Sequence, residues 1–175
     1  EIRLLKPNTF IIGAPKCGTT ALAHYLSTHP NVFFSTPKEL FYWCDDFATS
    51  KHEVSITNID DYFRLFRDAD PERHLVLAEG STRYLRSENA VRNLLDFNKD
   101  SKFIAMVRNP IELAHAYHME QCYSMDEDID DFGKAWRMQK QRKLGINIPT
   151  SCREPAFLQY KEVASLGTQI KRLLE

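Results

Sequence analysis

Lys16 lies between two glycines in the stretch Phe10-Ile11-Ile12-Gly13-Ala14-Pro15-Lys16-Cys17-Gly18-Thr19-Thr20, where the residue types come closest to chemistry. A short apolar run enters a glycine-flanked loop, which leads into Ala21-Leu22-Ala23-His24-Tyr25-Leu26 at helical spacing. The first amides of a helix lack intrahelical acceptors, and the helix dipole favours negative charge beside them. A strand, a tight turn and a helix start therefore form an anion cradle. Lys16 adds a mobile cation, and Thr19 and Thr20 add hydroxyl donors, which suits phosphate or sulfate. The alternative is an ordinary strand-to-helix turn whose glycines serve geometry alone.

The common nucleotide loop runs Gly, four residues, Gly, Lys, then Ser or Thr. Gly13 and Gly18 have that separation, but Thr19 occupies the lysine position and the lysine has moved to Lys16. A lysine ahead of the second glycine approaches the anion from another side, so the residue order is not that of an ATPase.

Two more charged positions stand out. Lys38-Glu39 precedes the cluster Leu40-Phe41-Tyr42-Trp43. A carboxylate there can take a proton from a hydroxyl or amine, or the pair can be a solvated surface pair. Arg108 closes the run Lys102-Phe103-Ile104-Ala105-Met106-Val107 just ahead of Asn109-Pro110. Its planar fork can bond two phosphate oxygens at once, or it can form a salt bridge at the sheet edge.

Pro15-Lys16-Cys17-Gly18-Thr19-Thr20 followed by Ala21-Leu22 resembles the 5′-phosphosulfate loop of the sulfotransferases. The resemblance implies a donor co-substrate, 3′-phosphoadenosine 5′-phosphosulfate, and no metal. It implies that Lys16 contacts the phosphosulfate and that the backbone and hydroxyls of Gly18, Thr19 and Thr20 hold the 5′-phosphate. Cys17 stands in this loop where the family often has a small residue, as a packed or backbone-only position or as a reactive thiol. Glycan and bacterial sulfotransferases carry a Lys-Glu ahead of aromatics about twenty residues after the loop, and its glutamate is their proposed base. Glu39 matches that position, with Lys38 beside it as a charge-stabilising or substrate-contacting group and Phe41 on the acceptor side. Leu40 departs from the His or Pro often found before the aromatic pair.

The Arg-x-Pro after a hydrophobic strand is similar to the family's 3′-phosphate site, which implies that Arg108 is a ligand. The usual serine eight residues later is replaced by Ala116. A donor missing from a charged acceptor costs about 1.5–3 kcal/mol, unless a neighbour such as His115 compensates. Glu79-Gly80-Ser81-Thr82-Arg83-Tyr84-Leu85 resembles the family's Glu-x-Ser-Pro-x-Tyr-Leu, with Thr82 in place of proline. That makes Glu79 and Ser81 candidates for the acceptor pocket, with structural roles for Glu79 and Tyr84 as the alternative.

The elements that must position these groups alternate. Apolar runs predict strands at about residues 9–13, 31–35, 74–79 and 102–107, and periodicity predicts helices at about 19–28, 59–68, 87–97, 110–123, 130–144 and 156–174. Asn58 and Ser87 are placed to cap two of them, and Pro110 to open another. Alternating strands and helices imply an α/β fold with a parallel sheet covered on both faces. The resemblance makes it a P-loop-like three-layer α/β/α fold, one domain over residues 1–175 that lacks its C-terminal portion. The run Asp126-Glu127-Asp128-Ile129-Asp130-Asp131 reads as a solvated loop and helix start, with metal binding as a minor alternative. Arg137, Lys140, Arg142 and Lys143 read as a solvated helix face, or as a basic flap over the acceptor.

Composition narrows the classes. With 43% hydrophobic residues the chain is an ordinary globular sequence rather than a disordered one. A net charge of −1 argues against non-specific nucleic-acid binding, so an anionic donor must be held by local cations. No apolar run has the length of a membrane span. Cys17, Cys44, Cys122 and Cys152 lack zinc spacing and point to free thiols in a reducing, cytoplasmic setting, with a lumenal domain of a secretory-pathway enzyme as the alternative. The expected acceptor is a glycan or small molecule. Two other functions stay open: a P-loop kinase or NTPase, and a sulfotransferase-like binding protein without activity.

Overall fold

Thr9–Gly13 forms β1, and every residue of it is buried, as expected of a parallel strand covered on both faces. The computed structural model describes residues 6–47 and 56–175. β1 is followed by α1 (Thr19–Ser27), β2 (Val32–Phe34), α2 (Ile59–Arg64), β3 (Val76–Gly80), α3 (Ala90–Phe97) and β4 (Lys102–Ala105). The four strands make one parallel sheet in the order β2-β3-β1-β4. Thr9 faces Ala78 of β3 on one side and Lys102 of β4 on the other. Because the strands are parallel, the loops after Gly13, Phe34, Gly80 and Ala105 all leave from the same edge, where α/β sheets bind ligands. This is the expected α/β architecture of a parallel sheet flanked by helices.

The chain falls into two compact units divided between Met106 and Val107. In the first, Leu40, Tyr62, Phe66, Ala69 and Leu77 form a buried cluster joined by Phe33, Tyr42, Trp43 and Phe97. Asn58 caps α2 by accepting from the Asp61 amide at 2.8 Å. That helix ends at Arg64, short of the expected 68, because the chain tightens into i→i−3 bonds such as Phe66 N to Phe63 O at 2.9 Å. Ser87 does cap the next helix, but from outside it: its hydroxyl accepts from the amide of Ala90, where α3 begins.

The second unit holds α4 (Pro110–Tyr123), α5 (Phe132–Lys143), a 3₁₀ turn (Pro155–Leu158), α6 (Tyr160–Ala164) and α7 (Leu166–Leu174). Asn109 caps α4 and Pro110 opens it. Asp131 caps α5 by accepting from the Lys134 amide at 2.6 Å. The single helix expected at 156–174 is broken at Gln159 and Ser165, whose ψ angles of 69° and 54° are not helical. A continuous helix would send the Lys161 amide to the Phe157 carbonyl. The Gln139 side chain on α5 accepts it instead, at 2.8 Å.

The acidic run is not wholly solvated either. Asp126 and Glu127 are buried, and so is Arg142, which the sequence assigned to a solvated helix face. Glu127 is gripped by both arms of Arg142 and by the Tyr160 hydroxyl, and it accepts the amides of Asp128 and Ile129 at 3.0 Å. Asp126 accepts from the Arg153 side chain and, at 2.8 Å, from its amide. Burial alone would raise both carboxyl groups; hydrogen bonds from Arg153 and Arg142 prevail and hold them below the usual carboxylate range.

Candidate active site

The glycine-flanked loop follows β1 without a break. Gly13 has φ +148°, and a Cβ there would lie 2.8 Å from the Thr82 carbonyl oxygen and 2.9 Å from Leu85 Cβ, so only glycine fits. Lys16 sits at φ 58° and is exposed. Gly18, at φ +82°, is the N-cap of α1. It offers no side-chain cap, and the first turn carries no carboxylate, which leaves the positive end of the helix to an outside anion. Within this loop Thr20 is exposed, whereas Thr19 and Cys17 are buried.

The Lys38-Glu39 turn docks on the end of β3. The Glu39 amide donates to the Gly80 carbonyl at 2.8 Å, and the Lys38 stem lies over Gly80, where a Cβ would come within 3.3 Å of Lys38 Cε. Lys38 Nζ is paired with Glu39 Oε1. The other oxygen, Oε2, accepts from the Thr82 amide at 2.8 Å and from its hydroxyl at 3.1 Å. Lys38 and Glu39 are part-exposed, at 18% and 30% of their side chains. Thr82 thus bonds the candidate base while its carbonyl lies close enough to Gly13 to exclude a side chain there.

Glu79 and Ser81, expected at the acceptor pocket, are instead fully buried. The Glu79 carboxylate accepts from the hydroxyls of Tyr62, Ser81 and Tyr84, each at 2.7 Å. Burial raises its pKa, while those three hydrogen bonds work the other way. Ser81 Oγ accepts from the Phe41 amide at 3.1 Å and the Tyr84 hydroxyl from the Trp43 amide at 3.3 Å. Tyr42 and Trp43 turn into the aromatic core, with the Tyr42 and Tyr62 rings stacked at 5.0 Å. Phe41 differs: the Arg83 guanidinium lies 3.8 Å from its ring centroid. The sequence reading gave no role to Thr82, Arg83 or Tyr62; Tyr62 is seventeen residues from Glu79, with no local signal to link them.

The chain leaving β4 runs beside the loop: Met106 donates to the Gly13 carbonyl at 2.7 Å and accepts from the Ala14 amide at 2.8 Å. Arg108 follows two residues later, in the second unit, ion-paired with Glu112 at 2.9 Å and 43% exposed. His115 packs edge-on against Phe132. Among the described residues no group of His, Cys, Asp and Glu is placed to hold a metal, and no helix is long and apolar enough to cross a membrane.

Residues 6–150 match the family described as "Sulfotransferase domain". The chain is 29% identical over 114 residues to membrane-associated sulfotransferase kil1 of Dictyostelium discoideum, covering 62% of this chain and 22% of that protein. It is 26% identical over 163 residues to carbohydrate sulfotransferase 15 of Mus musculus, covering 72% and 29%. It therefore spans less than a third of the length of either relative. A solved sulfotransferase from Alicyclobacillus acidocaldarius superposes with a TM-score of 0.83 at 27% identity, covering 97% of this chain and 68% of that one.

Proposed function

Because this chain belongs to the sulfotransferase family, we propose that it transfers a sulfuryl group from 3′-phosphoadenosine 5′-phosphosulfate to a hydroxyl or amine of a glycan or small-molecule acceptor. The observation that carries this reading is the pair of hydrogen bonds from Thr82 to the Glu39 carboxylate, made next to the entry of the glycine-flanked loop, where a Cβ on Gly13 would lie 2.8 Å from the Thr82 carbonyl oxygen.

The loop suits the donor's 5′ end. The amides at the start of α1 and the hydroxyls of Thr19 and Thr20 hold the 5′-phosphate, Cys17 and Gly18 contribute backbone, and Lys16 neutralises charge on the leaving phosphate. Arg108 holds the 3′-phosphate with its guanidinium fork. Glu39 takes the proton of the acceptor as the acceptor's oxygen or nitrogen bonds to sulfur and the bond from sulfur to the phosphate oxygen breaks. Lys38 steadies the Glu39 carboxylate beforehand and the sulfuryl oxygens during transfer, and Phe41 meets the acceptor. Catalysis of this kind is positioning and electrostatics, with no metal assigned.

Calorimetry with 3′-phosphoadenosine 5′-phosphate and a transfer assay with radiolabelled donor test the proposal. Preference for the bisphosphate over ADP, with label moved to a glycan or small alcohol, is the expected result. Equal affinity for ADP would favour a nucleotide kinase, and bisphosphate binding without transfer to any acceptor class would favour a binding protein; either outcome sinks the proposal.

A further inference from the structure

We propose that Glu79 is a positioning residue for the Glu39 turn, acting through Ser81 and Tyr84 without touching either substrate. This rests on Glu39 being the base. A carboxylate is an acceptor only, and a hydroxyl has a single proton to give. Tyr62, Ser81 and Tyr84 all direct theirs at Glu79, at 2.7 Å. Ser81 Oγ and the Tyr84 oxygen are then left with lone pairs alone. Each accepts a main-chain amide from the segment just past Glu39: Phe41 at 3.1 Å and Trp43 at 3.3 Å.

One buried group thereby sets the direction of the two hydrogen bonds that Ser81 and Tyr84 make to this segment. The segment needs such an anchor. Glu39 and Phe41 both have positive φ, 67° and 52°, a conformation that side-chain-bearing residues hold only when their surroundings impose it. Leu40 between them is buried in the aromatic core, which fixes the depth of the turn, while the two amides fix its rotation. Burial, and then the charge of Glu79, keep the Tyr62 and Tyr84 hydroxyls protonated well above the usual tyrosine range, so both remain donors.

Ser81 and Tyr84 share Oε1 of Glu79 and Tyr62 holds Oε2, so the variant must remove both oxygens: Glu79→Leu keeps a similar volume and takes away the acceptor that orients the Ser81 and Tyr84 hydroxyls. The expected result is hydrogen exchange faster by about tenfold at the Phe41 and Trp43 amides, the scale of one lost hydrogen bond. Turnover should fall with it while affinity for 3′-phosphoadenosine 5′-phosphate is retained. Tyr84→Phe, which removes the acceptor for Trp43 alone, should loosen that amide selectively, and it carries the test should Glu79→Leu fail to fold. Unchanged exchange at both amides overturns the inference whatever the activity. Unchanged turnover despite faster exchange overturns it as well, provided Glu39→Gln is inactive. Full activity in Glu39→Gln would instead remove Glu39 as the base, and with it the reaction this turn is proposed to serve.

Discussion

Thr82 donates twice to one oxygen of Glu39, from its amide at 2.8 Å and its hydroxyl at 3.1 Å, across forty-three positions of sequence. The amide donor exists because Thr82 is not proline, which has no N–H. Thr82→Ala removes one donor and leaves the amide, so turnover should drop by up to about tenfold. Thr82→Pro removes both donors and should cost more. Steady-state rates at saturating donor read the difference, and equal activity in the two variants would show that the amide bond does not matter.

Lys16 and Glu39 have separable roles under the proposed function. Lys16→Ala and Glu39→Gln are both expected to abolish turnover. Only Lys16→Ala should strongly weaken binding of 3′-phosphoadenosine 5′-phosphate, because Glu39 faces the acceptor. Calorimetry on the two variants checks this, and donor affinity lost equally in both would contradict the division of labour.

Gly13→Ala should destabilise the first unit. The added Cβ would meet the Thr82 carbonyl at 2.8 Å, and backbone cannot swing aside as a flexible side chain can. Overpacking of this kind costs about 1–3 kcal/mol, to which the φ of +148° adds. Denaturant melts measure it. Gly18→Ala, whose nearest contact is Met106 Cε at 3.6 Å, should cost less, from its left-handed φ alone.

Arg142→Met should be among the most damaging changes in the second unit, because it leaves the Glu127 charge buried without its partner. Removing one member of a buried pair costs about 3–5 kcal/mol. A melting temperature close to that of the parent would show that Tyr160 and the Asp128 and Ile129 amides suffice.

Acid should weaken the same region. Asp126 and Glu127 have folded-state pKa values below their unfolded ones, so their contribution is present in full above the ordinary carboxylate range of about 4. It is lost as pH falls through the depressed folded values. Far-ultraviolet melts from neutral pH downward should show stability declining only below that range, and a decline that starts near neutrality would argue against these two carboxylates as its source.

Local sequence was enough for the strands, the glycine-flanked loop with Lys16, the caps at Asn58 and Ser87 and the helix start at Pro110, whereas Glu39 and Arg108 were nominated by the family resemblance. The elements depend on alternation, helical spacing and turn chemistry within a few residues, which the order of residues exposes directly. Only tertiary structure could decide what Thr82 touches, that Glu79 and Ser81 face inward, and that Asp126, Glu127 and Arg142 are core rather than surface. A charge looks the same in sequence whether water or an opposite charge solvates it. The partner that makes burial tolerable lies fifteen or more residues away for Glu127 and twenty-seven for Asp126, beyond the reach of any local pattern.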